Sequence, residues 1–207
     1  MTASSSPVTS WSSSGAAMVT LIRKKETLAA RPNTRMEHVE ALDVMVQITH
    51  DHHFLHSNSI ARRDISPENV LLGGDSCFKI CDFGLSTRVG TKSSERVGEA
   101  LYMTSEVVRG STEYDPVLAD VWSLEAVLFL MLTGPPLVSL ASDDVPAFQA
   151  IRAIGCLGVL WQWEMNQLFP FTTIDLLTKM LRIDPCDWFQ NMSEVLKHCQ
   201  QHDSFCN

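Results

Sequence analysis

The sequence predicts an α+β fold, mainly α, with one short β-hairpin. Three observations predict it. Val70-Leu71-Leu72 and Phe78-Lys79-Ile80-Cys81 are short apolar runs on either side of Gly73-Gly74-Asp75, a strand–turn–strand pattern. An apolar stripe at helical spacing runs through residues 35–57. Asp120–Thr133 is apolar on every side and stops at Gly134-Pro135-Pro136, as a buried helix should.

Along the chain, residues 1–16 are mostly Ser, Thr, Pro and Ala and read as a disordered tail; Ala17–Ile22 reads as a short strand or helix end. Residues 1–33 are therefore set apart as a Ser-rich tail or remnant segment, and residues 34–207 as the folded domain. After a break at Pro32-Asn33, Thr34 and Glu37 have capping-box spacing. Val39, Leu42, Met45, Val46 and Thr49, extended by Ile48 and Leu55, carry the stripe of a helix of about five or six turns. His50, His52, His53 and His56 crowd its end. His52 and His56 share a face, but no third ligand stands at a fixed spacing, so packing is favoured over zinc. Residues 85–105 are rich in Ser, Thr and Gly and form a loop of roughly twenty residues, a length that usually means function. Further helices are expected at Pro146–Ile154, Thr173–Leu181 and Ser193–His198. Trp161, Trp163, Phe169 and Phe171 are expected to pack rather than to stack on a ligand.

With 207 residues, 45% of them hydrophobic and 19% charged, the chain suits one domain with a sizeable core. A formal net charge of −8 argues against nucleic acid as a partner and leaves a protein substrate or protein partner. The first twenty residues have neither the basic start nor the apolar stretch of a signal peptide. The most apolar run, Ala126–Leu132, is too short to span a bilayer, so no membrane partner is expected. Six scattered cysteines without a secretion signal read as free thiols in an intracellular setting.

The chemistry concentrates between Arg62 and Gly84. Asp64 is followed five positions later by Asn69 and eighteen positions later by Asp82, so the hairpin is flanked by two carboxylates and a carboxamide. Such a set suits a hydroxyl-activating base and the oxygen ligands of magnesium. At this point the chain resembles the protein kinase family, with Arg62-Arg63-Asp64…Asn69 in the place of H-R-D-x-x-x-x-N and Asp82-Phe83-Gly84 as D-F-G. Gly98–Glu106 resembles the segment ending in A-P-E, and Asp120-Val121-Trp122-Ser123 the opening of a central helix. Small-molecule phosphotransferases share the Asp…Asn…Asp arrangement, but the 85–105 segment and D-x-W-S favour the protein kinases. Pro67-Glu68-Asn69 resembles the Ser/Thr rather than the tyrosine loop.

The resemblance implies a large, C-terminal kinase lobe over residues 34–207 and phosphoryl transfer from Mg–ATP to a protein hydroxyl. It implies Asp64 as catalytic base, with Asn69 and Asp82 holding magnesium on the phosphates. Arg63 would pair with a phosphate on the 85–105 loop, for which Thr91, Ser93 and Ser94 are candidate acceptors. Leu71 would floor the adenine site, with Val127 and Met131 stacked beneath it, and Asp120 would accept backbone N–H bonds from the catalytic loop.

Several positions depart from the family pattern. Ser66 stands where a Lys usually meets the γ-phosphate, and its hydroxyl cannot supply that charge. Glu99 replaces a Thr and would repel Asp64. Arg62 replaces the His beside the D-F-G Phe, where stacking on Phe83 is expected. Before Arg62 there is one glycine, Gly15, so no G-x-G-x-x-G is present, and Lys24 and Lys25 do not match V-A-I-K. About 34 residues precede the long helix, too few for a five-stranded small lobe. The Arg expected near Asp184-Pro185-Cys186-Asp187-Trp188 to pair Glu106 is missing, and Glu125 stands at a buried helix position. An unpaired buried carboxylate costs on the order of 3–5 kcal/mol. The expectation is a truncated kinase-like domain with weak Mg²⁺ and ATP binding and weak or no activity; the alternative is a pseudokinase acting as a protein-binding module.

Overall fold

The computed structural model describes residues 26–31, 35–73, 77–180 and 189–203. The tail at 1–16, the 17–22 segment, Thr34 of the capping box, the Gly74-Asp75 part of the hairpin turn and the 184–188 motif lie outside them. In chain order the elements are α1 (His38–Ser57), β1 (Ile60–Ala61), β2 (Val70–Leu72), β3 (Phe78–Ile80), β4 (Thr87–Arg88), α2 (Ser105–Arg109), α3 (Pro116–Thr133), α4 (Pro146–Gln162), α5 (Phe171–Met180) and α6 (Met192–Asp203). Short 3-10 turns lie at Leu28–Ala30, Pro67–Asn69, Ala100–Tyr102 and Met165–Gln167.

The architecture is mainly α, as expected, and α3 is its axis. Asp115 caps it by accepting Val117 N at 3.0 Å, and Pro116 takes the first turn, so it starts four residues ahead of Asp120. By length and composition α3 could cross a membrane, yet 78% of it is buried, and it serves as the core helix. The helix α1 packs against α3 and α6 and buries Ala41, Met45, Ile48 and His52 along one line. Val39, expected on that stripe, is 50% exposed. At 3.6 residues per turn it falls on the opposite side from the line through 41, 45, 48 and 52.

The hairpin forms with Val70 opposite Ile80, Leu71 opposite Lys79 and Leu72 opposite Phe78. Alternation along β2 sends Val70 into the main core with Val127 and Met131, and Leu72 packs against the same core. Leu71 faces the other way and is not part of that core cluster, so the expected stack of Val127 and Met131 beneath Leu71 is not seen; the β2 residue that shares their core is Val70. On the outer edge, Thr27 bridges Leu71, Leu72 N donates to Glu26 O at 2.8 Å, and Leu28 is buried. A second ladder, β1 with β4, was not expected from the sequence and pairs Ile60 with Arg88 and Ala61 with Thr87.

Two further expectations change. The helix α4 continues past Ile154 to Gln162 because Gly155, at φ 72° and ψ 168°, kinks the chain and lets helix resume. Trp161, Trp163 and Phe171 do not pack inside: they are 62%, 38% and 81% exposed, whereas Phe169 leans on the core.

Candidate active site

The site is built where β1 leaves the core and the chain turns back towards β2. Arg62 N donates to Asp120 Oδ2 at 2.6 Å and Arg63 N to Asp120 Oδ1 at 2.7 Å, which pins the loop to α3. Asp120 is fully buried, and His56 Nε2 reaches the same Oδ2 at 2.9 Å. Two of the histidines at the end of α1, the pair that shares a face, thus have structural partners: His56 holds Asp120, and His52 Nδ1 donates to Ile48 O at 2.7 Å. Burial pushes the His52 imidazole below its ordinary range, with Asp120 opposing the shift.

Asp64 follows, half-buried, and Asn69 reaches back to it. Asn69 Nδ2 donates to Asp64 Oδ2 at 2.7 Å and to Asp64 O at 3.1 Å, leaving the amide oxygen for another ligand. Cys81 N donates to the backbone carbonyl of Asn69 at 2.9 Å, so Asp82 is the residue that follows the backbone partner of Asn69. Asp82 is exposed, has φ 55°, and accepts Gly84 N on Oδ1 at 3.0 Å. The structure therefore gathers Asp64, Asn69 and Asp82 at the end of the hairpin. Among the described residues no cluster of three or more His, Cys, Asp or Glu could cage a metal alone. The fit is to magnesium, which binds through few protein oxygens while phosphates and water complete its shell. Asp82 and the Asn69 amide oxygen would hold it.

Arg62 lies under this group, 1% exposed. Its Nη2 donates to the Cys81 carbonyl and its Cζ sits 5.4 Å from the centre of the Phe83 ring, the stacking expected from the sequence. Burial lowers the guanidinium from its ordinary value, while Asp64, Asp82 and Asp120 oppose that shift.

Arg63, at φ 65°, turns outward to the long loop. Its Nε donates to Leu85 O at 2.7 Å, and its Nη1 to Ser93 Oγ at 3.1 Å and to Glu95 Oε2 at 2.5 Å. Of the three candidate acceptors, Ser93 is the one placed against Arg63. Glu95, missed from the sequence, is a fixed negative charge in the same grip; a carboxylate two positions beyond Ser93 was the available signal. Tyr114 ties the loop down from the other side through Ser93 and through its hydroxyl to Glu95 O at 2.9 Å. The two remaining predicted positions differ in setting. Ser66 is 1% exposed and its carbonyl accepts Asn69 N; Leu71 is 9% exposed on the outer face of β2.

Glu99 is half-buried, and burial raises its carboxyl above the ordinary range, helped by a shared hydrogen bond with Glu68 and by Asp64. The expected clash of Glu99 with Asp64 is thus mainly an encounter with Glu68. Beneath them, a cavity of about 10 Å³ lined by Asp64, Gly98, Glu99, Tyr102 and Ser123 has room for about one water. Glu106 is half-buried, accepting Ser105 Oγ at 3.3 Å, so the buried-charge cost expected there does not arise. It does arise at Glu125, which is fully buried with neither oxygen partnered among the described residues. Burial raises its carboxyl well above the ordinary range.

Comparison with known proteins agrees with this geometry. The family model for the protein kinase domain matches residues 12–201. A probable serine/threonine-protein kinase of Dictyostelium discoideum is 37% identical over 165 residues, 79% of this chain and 19% of that protein. The CBL-interacting protein kinase 4 of Oryza sativa is 37% identical over 112 residues, covering 52% and 24%. The serine/threonine-protein kinase CHK1 of Saccharomyces cerevisiae is 35% identical over 135 residues, covering 61% and 24%. The chain spans 19–24% of the length of these relatives. With the family match running over most of its length, and a catalytic loop pinned by Asp120 beneath Asp64, Asn69 and Asp82, this chain belongs to the protein kinase family.

Proposed function

We propose that the chain is the large lobe of an intracellular Ser/Thr-type protein kinase, weak or inactive as it stands in phosphoryl transfer to protein hydroxyls. The observation that carries this reading is the bond from Asn69 Nδ2 to Asp64 Oδ2 at 2.7 Å, which fixes the base beside the carboxamide. Asp64 would take the proton of a Ser or Thr hydroxyl as that oxygen bonds to the γ-phosphorus of ATP and the bond from that phosphorus to the β,γ-bridging oxygen breaks, with ADP leaving. Magnesium supplies charge neutralisation and alignment of the phosphates when bound. Asn69 and Asp82 would offer it their oxygens, and Arg63 holds residues 85–95 through Leu85, Ser93 and Glu95.

A second reading, a non-catalytic protein-binding module, is favoured by one observation: Ser66 is buried and neutral, and Glu99 and Glu68 add negative charge beside Asp64. In this cleft the triphosphate meets carboxylates where a Lys would help. By itself, the 207-residue chain is therefore expected to bind Mg–ATP no better than about millimolar, about −4 kcal/mol, with transfer to a protein substrate at background. Calorimetric titration with Mg–ATP, beside a transfer assay and Asp82→Asn as control, tests the two readings. Millimolar binding that Asp82→Asn abolishes supports a kinase cleft of low affinity. Micromolar binding and Asp64-dependent transfer favour an active enzyme, and binding indifferent to Asp82→Asn favours the module.

A further inference from the structure

We infer that Arg62 is a resident cation of the metal cleft: it clamps residues 81–83 through its own contacts, and its charge weakens the capture of a divalent ion by Asp82 and Asn69. The inference rests on the proposed role of those two residues as metal ligands. Arg62 is among the largest fully buried side chains. Three of its contacts fix it along different directions: its backbone N on Asp120, its Nη2 on the Cys81 carbonyl, and its guanidinium against the Phe83 ring. Two of these bracket Asp82 in sequence, one on the residue before and one on the residue after. Nη1 is buried without a partner among the described residues, so the charge is not neutralised by a dedicated ion pair. The acidic groups whose charge it senses are Asp64, Asp82 and Asp120, with the Cys81 thiol beside them.

The consequence is electrostatic. A guanidinium keeps its proton at every working pH, and this one cannot swing into solvent without giving up the carbonyl and the ring. A divalent ion entering at the exposed Asp82 must therefore bind against a fixed positive charge that is itself buried, where repulsion is screened less than between two solvated charges. One positive charge thus stands among the three carboxylates of Asp64, Asp82 and Asp120 before the ion arrives.

The test uses the full chain and Mn²⁺ as the probe, with free ion read by electron paramagnetic resonance at pH 7.5. Wild type, Arg62→Gln, Arg62→Met and Arg62→Lys are titrated, each with and without Asp82→Asn. Arg62→Gln and Arg62→Met are expected to bind Mn²⁺ about tenfold tighter than wild type, and Arg62→Lys to stay within about twofold. Asp82→Asn removes the gain in every background. A purely structural role would move the lysine variant as well, because lysine keeps the charge and loses the planar fork. Should Arg62→Gln melt below the assay temperature, Arg62→Met, with its apolar stem on Phe83, carries the same expectation. Equal affinities that still depend on Asp82 overturn the inference and leave the metal reading standing. No Asp82-dependent binding in any variant overturns both.

Discussion

Asp120 and Arg63 stand 57 residues apart in sequence and are joined by a 2.7 Å bond from Arg63 N to Asp120 Oδ1. The same carboxylate takes Arg62 N and His56 Nε2, so one buried side chain on α3 organises α1, β1 and the catalytic loop. Replacing it by alanine leaves two backbone donors and an imidazole without their acceptor in a dry site. Asp120→Ala is expected to lower unfolding stability by about 3–5 kcal/mol, a large share of the about 5–15 kcal/mol of an ordinary domain. Urea unfolding followed by circular dichroism measures it; a loss under about 1 kcal/mol would mean that the loop is held elsewhere.

What could be read in advance follows from the range of the interactions. Periodicity is local, so α1, α3 and the hairpin were legible, and the spacing of Asp64, Asn69 and Asp82 marked the site. The β1–β4 ladder was not, because two-residue strands carry no alternation and their partners, Ala61 and Thr87, meet only through the tertiary fold. The five-residue α2 is too short for a stripe and is set by its cap, Thr104 Oγ1 accepting Val107 N at 3.3 Å. Leu71 was misplaced because the direction of alternation in a three-residue strand is decided by the core it meets. Glu106 and Glu125 looked alike as sequence problems. Only packing separates the half-buried one from the one sealed inside α3.

Glu95 gives a prediction about the long loop. Its side chain is 65% exposed while that of Arg63 is 9% exposed, so the pair contributes little to global stability. It does hold the 85–95 stretch, together with Ser93 and Tyr114. Glu95→Ala is expected to change unfolding stability by less than about 1 kcal/mol and to raise trypsin cleavage after Arg88, Lys92 or Arg96 severalfold. Unchanged cleavage would show that Ser93 and Tyr114 suffice.

Glu125 predicts a pH dependence with a definite sign. Its folded carboxyl is shifted up by burial, so on raising the pH the unfolded chain loses this proton first. The folded state then holds more protons than the unfolded one, and stability falls as pH rises above the ordinary carboxylate value near 4.5. Below that value the difference vanishes. The thiols of Cys156 and Cys199, both pushed up to about 12 chiefly by burial, stay protonated across this range and do not offset it. Glu125→Met, similar in volume and without a charge to desolvate, is expected to be more stable at pH 7.5 by about 1–4 kcal/mol, with the gain shrinking towards pH 4. Melting curves of both proteins across pH 4–8 decide it. A gain that does not vary with pH would assign the effect to packing instead.

Gly98 supplies the last prediction, because there the long loop leaves no room for a side chain against the backbone of Arg63. It has φ +100°, and a Cβ built on it would lie 2.6 Å from the Arg63 carbonyl oxygen. That contact is with backbone, and the backbone of Arg63 is itself tied to Asp120, so neither side can yield cheaply. Gly98→Ala combines a strained φ with a steric overlap and is expected to cost about 1–3 kcal/mol. The damage should be directional: the 98–104 stretch moves away from Asp64, whose carboxylate Oδ1 lies 3.7 Å from the same built Cβ. Gly90, at φ +83° with nothing within 4 Å, is the control, since alanine there meets backbone strain without overlap. Hydrogen exchange should then show amides of residues 98–104 opening in Gly98→Ala and not in Gly90→Ala. Equal exchange in the two variants would mean that φ alone sets the cost and that the approach to Arg63 is incidental.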